Sequence, residues 1–407
     1  MRALLTPFRK FGLNKFLFCA TIAVIAWYVL LCLAHYFSQR PLWNDEDCVF
    51  NSIKAFNAKD IFTRPLLSLQ VFPRVYLFAI QQFSKPFDFH LLALRFFSLV
   101  FMLAAFLAWI KIARYEFKDK LHYLTFILSW SASAVLIYYS AELKQYSMDV
   151  LVGALFLLFL YHQERLQKEC RFSVLALILV ALPALIMVSY ITFFFLLLPL
   201  YNLILSARQQ KENRRLLLLI ILYVSSAVIF GALSYCFDAR LRPVAILTQE
   251  WRNHFISFDS PLAFFRSLWE GINNLFVRWF VERPKSLKKI GMFFVAFGFI
   301  YLFRGFFSNI KKEKYFLKSL NTVALVVFLE LLIMGALKKY PFTVPRTSLF
   351  FCPVVLFLTL KGIVILEKLN PYVYRIIYAL YAIYLIYLTI SLGGITLAGK
   401  LTFRPIL

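Results

Sequence analysis

The sequence predicts an all-α polytopic membrane protein of about eleven transmembrane helices, and three observations carry that expectation. Of its 407 residues 62% are hydrophobic and only 16% charged, whereas soluble domains carry roughly 45–50% apolar and about 25% charged residues. Apolar runs recur along the whole chain, and about 20 such residues are enough to cross a hydrocarbon core of roughly 30 Å. Basic residues gather in the short linkers between those runs. A β-barrel would instead show alternating segments of about 10 residues.

The expected spans are 16–37, 91–110, 121–139, 148–162, 172–188, 190–206, 216–235, 290–303, 320–337, 349–366 and 373–393. Arg2, Arg9, Lys10 and Lys15 precede the first apolar run. That run is too long for a signal-peptide core and no small-residue cleavage site follows it, so it reads as an uncleaved first span with a cytoplasmic N-terminus. Five linkers, 111–120, 164–171, 207–215, 303–318 and 367–375, are basic. With eleven spans all five fall on the cytoplasmic side, as the positive-inside rule asks. The chain reads as one membrane domain, residues 1–407, with two long outer-face insertions, 38–90 and 236–289. Both insertions are amphipathic and rich in aromatics and Arg, the composition of helices lying in the headgroup plane.

Forty-five Lys and Arg stand against twenty Asp and Glu, a formal net charge of +25. In a soluble protein that excess points to nucleic acid. Here it sets topology and meets anionic lipid, so membrane lipids are expected partners and nucleic acid is not. The six cysteines and five histidines are dispersed, without the spacing of a metal site. Cys48 and Cys236 fall in the two outer segments, either as apolar filler or as a pair. The chain has no GxxxxGK[ST] loop and no HExxH, so neither nucleotide nor cofactor is expected, with a divalent metal left open.

Three stretches hold residue types that do chemistry. In "PLWNDEDCVF" (41–50), Asp45, Glu46 and Asp47 are adjacent at a membrane edge. Asn44 is a good N-cap, and a first helical turn favours negative charge. The three either cap an interfacial helix, or one faces a cavity and accepts a proton as a general base. In "YYSAELKQYSMDV" (138–150), Asp149 opens an apolar span, where a charge is costly and usually functional. Glu142 lies seven residues upstream and would share its face if the helix extended that far, with Lys144 beside them. In "KKYPFTVPR" (338–346), Arg346 enters a span after two prolines, and Arg suits bidentate phosphate recognition. Arg74 and the arginines of 240–283 add outer-face positive charge. Glu330 lies mid-span in "VALVVFLELLIMGAL", either a functional group or a bond to a neighbouring helix.

The order of these motifs resembles that of the GT-C superfamily of polytopic glycosyltransferases, of the protein O-mannosyltransferase and aminoarabinose-transferase-like kind. The stretches that carry it are "WNDEDCVFNSI", "FPRVYLFAIQQF", "ALRFFSLVFMLAAFLAW", "YYSAELKQYSMDVLVGALFLLFL" and "KYPFTVPRTSLFFCPVVLFL". The resemblance runs over 16–200 and locally over 338–360; nothing in 236–335 is matched. It implies that Asp45 and Glu46 are catalytic, acting near the acceptor. It matches Glu142 and Tyr146 to the family pattern Gln-Glu-x-Arg-x-Tyr, with Lys144 where Arg is common. Asp47, Glu142 and Asp149 then form a second acidic, acceptor-side cluster, and Lys144, Arg346, Arg74 and Tyr146 meet the donor phosphate. The implied reaction moves a sugar from a polyprenyl-phosphate donor to an acceptor hydroxyl or amine of a lipid, glycan or protein, inverting the anomeric centre. The implied place is the outer face of a bacterial inner membrane, in glycan biosynthesis for the cell envelope. The competing reading is a transporter or flippase of a lipid-linked anion.

Overall fold

The computed structural model describes residues 5–209, 214–277, 285–310, 319–341 and 344–401. Among them every regular element is helical. In chain order the helices are α1 (Leu5–Phe37), α2 (Asn44–Ala55), α3 (Ala58–Thr63), α4 (Arg74–Ser84), α5 (Leu91–Glu116), α6 (Lys120–Ser131), α7 (Ala134–Tyr138), α8 (Tyr146–Glu169) and α9 (Phe172–Ala184). There follow α10 (Leu197–Gln209), α11 (Arg214–Phe237), α12 (Val244–Glu250), α13 (Pro261–Val277), α14 (Lys285–Ile310), α15 (Leu320–Ala336), α16 (Cys352–Leu369) and α17 (Pro371–Leu397).

Seven helical stretches are long and apolar enough to cross a membrane, and an eighth if α6 and α7, bent by 59° at their junction, form one span. The other three expected segments fall on α9, α14 and α15; Phe172–Met187 and Leu320–Ala336 are apolar but shorter. Helix starts follow side-chain chemistry. Asp119 accepts from the Leu121 and His122 amides at 2.8 and 3.0 Å to open α6. Asn370 accepts from Tyr372 and Val373 at 3.0 and 3.1 Å, with Pro371 at the first helical position, to open α17. Where α14 crosses α16 the backbones touch. A Cβ on Gly362 would lie 2.1 Å from the Phe297 carbonyl oxygen, and one on Gly298 2.7 Å from the Thr359 nitrogen. Glycine allows that approach, as small residues do between membrane helices.

Side-chain contacts sort the helix ends into two sets. At one end Lys361 of α16 reaches Glu116 of α5 at 2.9 Å, Tyr115 of α5 meets His162 of α8 at 2.9 Å, Arg215 of α11 donates to the Cys170 carbonyl at 2.5 Å, and His122 meets Tyr374 at 2.7 Å. The described parts of linkers 111–120, 164–171, 207–215 and 367–375 therefore share that end. Residues 311–318 of the fifth basic linker lie outside the described residues, as do 278–284, with Arg278 and Arg283, of the second insertion. At the opposite end the first insertion packs on the α7–α8 junction, the start of α5 and the segment leading into α16. α13 turns Leu262, Phe265 and Trp269 outward while Leu275 and Phe276 pack into the core. All six cysteines are free thiols, so Cys48 and Cys236 are not paired.

Candidate functional site

The helix that opens on the acidic triplet sorts its three carboxylates into three environments. Trp43, not the expected Asn44, is the N-cap residue, without a side-chain cap bond. The helix closes instead through Glu46, which reaches back to the Trp43 amide at 3.4 Å. Asp45, Glu46 and Asp47 all lie in the first turn, and the 3.6-residue period sends them in different directions.

Asp47 is exposed. Glu46 is fully buried and fully bonded. Arg95 holds it by Nε–Oε1 at 2.9 Å and Nη2–Oε2 at 2.8 Å, Arg40 donates at 2.8 Å, and the Leu143 amide donates at 2.7 Å. Two cations and two backbone N–H groups use its lone pairs, so its role here is to join the first insertion to α5 and to the loop before α8. Arg95 and Arg40 also bind the carbonyls of Arg40 and Ala141, at 2.7 and 3.2 Å.

Asp45 is half-buried and faces the other way, toward the chain leading into α16. Its Oδ2 lies 2.7 Å from Arg346 Nη1 and 3.9 Å from Lys144 Nζ. The Arg346 contact is close in distance but not aimed along an N–H, because Nη1 and Nε both lack a hydrogen-bond partner. Arg346 is only 6% exposed. The Trp43 and Trp251 rings lie 5.4 and 5.7 Å from its guanidinium carbon. Val344 is extended (φ −93°, ψ 113°) before Pro345, as a residue preceding proline should be, and the turn that follows presents Arg346. Lys144 is buried and donates to Gln70 at 2.5 Å. Burial lowers its ammonium pKa, opposed by Asp45.

Glu142 does not share a helix face with Asp149. It follows a short 3-10 turn in extended conformation, and α8 starts only at Tyr146. Glu142 is 1% exposed, with both carboxyl oxygens unbonded. Its nearest cation is Arg40, at 3.9 Å. Burial, reinforced by Glu46 and opposed by Arg40, Lys144 and Arg346, pushes its carboxyl up to about 8. Tyr146 stands edge-on against Tyr139, ring centres 5.1 Å apart. Asp149 is buried away from the cluster and accepts from the Ser189 hydroxyl at 2.5 Å. Glu330 of α15 has one buried oxygen without a partner.

The structure thus brings together Asp45, Glu46, Glu142, Lys144 and Arg346. It places Arg74 elsewhere, in a second network. Asp238 accepts from Arg74 Nε at 3.3 Å, from Arg242 Nη2 at 2.5 Å and from the Tyr190 hydroxyl. Arg74 also donates to the Ile61 carbonyl at 3.0 Å. A shallow cavity lined by Pro73, Arg74, Tyr190, Phe237 and Asp238 lies there, not at Arg346. Among the described residues no three His, Cys, Asp or Glu are placed to hold a metal ion.

Sequence reasoning missed Arg40, Arg95, Trp43, Gln70 and Trp251. Arg95 had a usable signal, as a lone charge four residues inside an apolar helix. Trp251 had none, since it reaches the site from the second insertion. Comparisons with protein-family models, with curated proteins and with solved structures return no match.

Proposed function

We propose that the chain is a membrane glycosyltransferase that moves a sugar from a polyprenyl-phosphate donor to an acceptor hydroxyl or amine. The observation that supports this most is the Arg346–Lys144 pair. Two buried cations lie beside the half-buried Asp45 at one end of an apolar helical bundle, and the guanidinium leaves Nε and Nη1 without hydrogen bonds. Buried donors without partners are costly, and the oxygens of a phosphate ester are strong acceptors for guanidinium N–H groups. An apolar bundle accommodates the polyprenyl tail that such an ester carries.

The chemistry then asks little else of the protein. The acceptor heteroatom attacks the anomeric carbon as the bond to the phosphate oxygen breaks. The phosphate leaves with the electron pair, held by Arg346 and Lys144, and the acceptor's proton passes to a carboxylate of the cluster. One displacement inverts the anomeric centre. Glu46, bonded on both oxygens, positions the site and does not take the proton. In this reading α9, α14 and α15 cross the membrane with the eight spans above, eleven in all. The basic linkers then face the cytoplasm, and the site faces the exterior of a bacterial inner membrane. Parts of α2, α4 and α13 lie in the headgroup plane, α13 through Leu262, Phe265 and Trp269.

Mass spectrometry of glycolipids and glycans from cells lacking the chain tests the proposal. One glycan or lipid should lose a single sugar, and its polyprenyl-phosphate donor should accumulate. An unchanged sugar inventory, with a lipid-linked anion trapped on one leaflet, would favour the transporter reading instead.

A further inference from the structure

The two carboxylates next to each other at the start of α2 are held in opposite ways. Glu46 is 0% exposed and engaged by aligned bonds from two guanidinium groups and an amide. Asp45 is 16% exposed at its side chain and held by charge alone. Arg346 Nη1 sits at 2.7 Å without an aimed N–H, and Lys144 Nζ is at 3.9 Å. Both cations converge on the same oxygen, Oδ2. The Trp43 and Trp251 rings pack near the Arg346 guanidinium, 5.4 and 5.7 Å from its carbon, and Asp45 stands at its Nη1.

We propose that Asp45 is a resident counter-anion: it holds the place on Arg346 and Lys144 that a phosphate ester takes, and the arriving phosphate displaces it and frees its carboxylate to accept the acceptor's proton. The inference rests on the reading that this pair receives a phosphate. Three features make displacement feasible. A carboxylate on one unaligned contact offers the guanidinium less than a phosphate oxygen that accepts along an Nη1 N–H. The backbone under Asp45 stays fixed, because Glu46 anchors the next residue from the opposite side. The side chain has only one torsion to turn before it leaves Arg346, and it is partly exposed. While paired with Arg346 and Lys144, Asp45 Oδ2 is turned toward those cations and is held away from an acceptor proton. Phosphate on the two cations removes that restraint, and the carboxylate then takes the proton released as the new bond to the anomeric carbon forms. Donor binding thereby switches on the base, which orders the two substrates, donor first.

The inference separates binding from turnover in a way that a purely binding or purely structural Asp45 does not. Farnesyl phosphate is titrated into detergent-solubilised full-length protein and its Asp45→Asn and Asp45→Ala variants, with farnesol as the control. Because the phosphate no longer competes with a carboxylate, both variants should bind it at least about fivefold more tightly, the lower end of ordinary coupling between two ligands. It should also raise their melting temperature more than that of the unmodified protein, while transfer is lost in both. Equal or weaker binding in the two variants overturns the counter-anion role and leaves the phosphate site standing. No binding by any of the three proteins overturns the phosphate site, and the inference with it.

Discussion

Two ionic networks tie the first insertion to the rest of the molecule, and they are built alike but finished differently. Around Asp238, the Arg74, Arg242 and Tyr190 side chains all aim hydrogen bonds at one carboxylate, and Arg242 also lies over the Tyr190 ring at 4.4 Å. Around Asp45 the same ingredients, a carboxylate and two cations, leave Arg346 Nε and Nη1 and both Glu142 oxygens without hydrogen bonds. Buried polar groups are normally satisfied, and a specific unsatisfied one calls for an explanation. A completed network clamps the chain, and an uncompleted one has bonding capacity left for a ligand. Glu46 shows both within one helical turn, since it clamps while its neighbour Asp45 does not.

The largest effect is expected at Glu46. Glu46→Gln leaves the buried Arg95 and its neighbour Arg40 without their charge partner, and breaking a buried pair costs about 3–5 kcal/mol. Thermal unfolding in detergent should show a large loss of stability, whereas Asp47→Asn, one residue on and exposed, should leave the melting temperature unchanged. Equal effects from the two would remove the distinction between a clamping and a solvated carboxylate.

At Asp238 the loss should be smaller, because Arg242, 24% exposed at its side chain, stays partly hydrated when its charge partner is removed. Asp238→Asn should lower stability by about 2 kcal/mol, within the range for hydrogen bonds to charged groups. Any effect on isoprenyl-phosphate binding should be minor, since Arg74 lies outside the Arg346 cluster. Loss of phosphate binding with unchanged stability would exchange the roles of the two networks.

Glu142 sharpens the comparison through pH. The folded chain keeps a proton on Glu142 up to about 8, while in the unfolded chain the carboxyl has its ordinary value of 4.5. Its contribution to stability is thus complete below about 4.5 and is lost as pH climbs through 8. Ionisation also adds a carboxylate among Arg40, Lys144 and Arg346, facing Glu46 and the Tyr138, Tyr139 and Tyr146 rings, so phosphate binding should weaken over the same window. Glu142→Gln should flatten both profiles between pH 4.5 and about 8. A variant whose binding still falls like that of the unmodified protein would place the titrating group elsewhere.

Much of this fold was legible in residue order. Apolar runs long enough to cross a bilayer marked the long helices, and the basic linkers foretold which helix ends gather together. The four linkers with described contacts do share one end, opposite the acidic triplet. Asp45, Lys144 and Arg346, chosen from stretches about 100 and 200 residues apart, meet within 4 Å. What was not legible depends on three-dimensional choices. Nothing in "NDED" says which acid points inward, because one helical turn spreads three adjacent side chains over most of a circle. The presumed helix through Glu142 failed because its chain turns through Tyr139–Ala141 and extends before α8 begins. Arg74 drew notice for its charge, yet its partner Asp238 is 164 residues away.

Whether an incompletely bonded guanidinium receives a lipid-linked phosphate is decided at Arg346. The measurement is equilibrium binding of farnesyl phosphate, against farnesol, to the full-length protein and to Arg346→Ala and Arg346→Lys. The phosphate should bind and the alcohol should not. Arg346→Ala should weaken binding by about tenfold to a hundredfold, as expected from losing about 1.5–3 kcal/mol of charged hydrogen bonding. Arg346→Lys, which keeps the charge but loses the planar fork, should fall between. Unchanged phosphate affinity in Arg346→Ala, or farnesol binding as well as its phosphate, would contradict it.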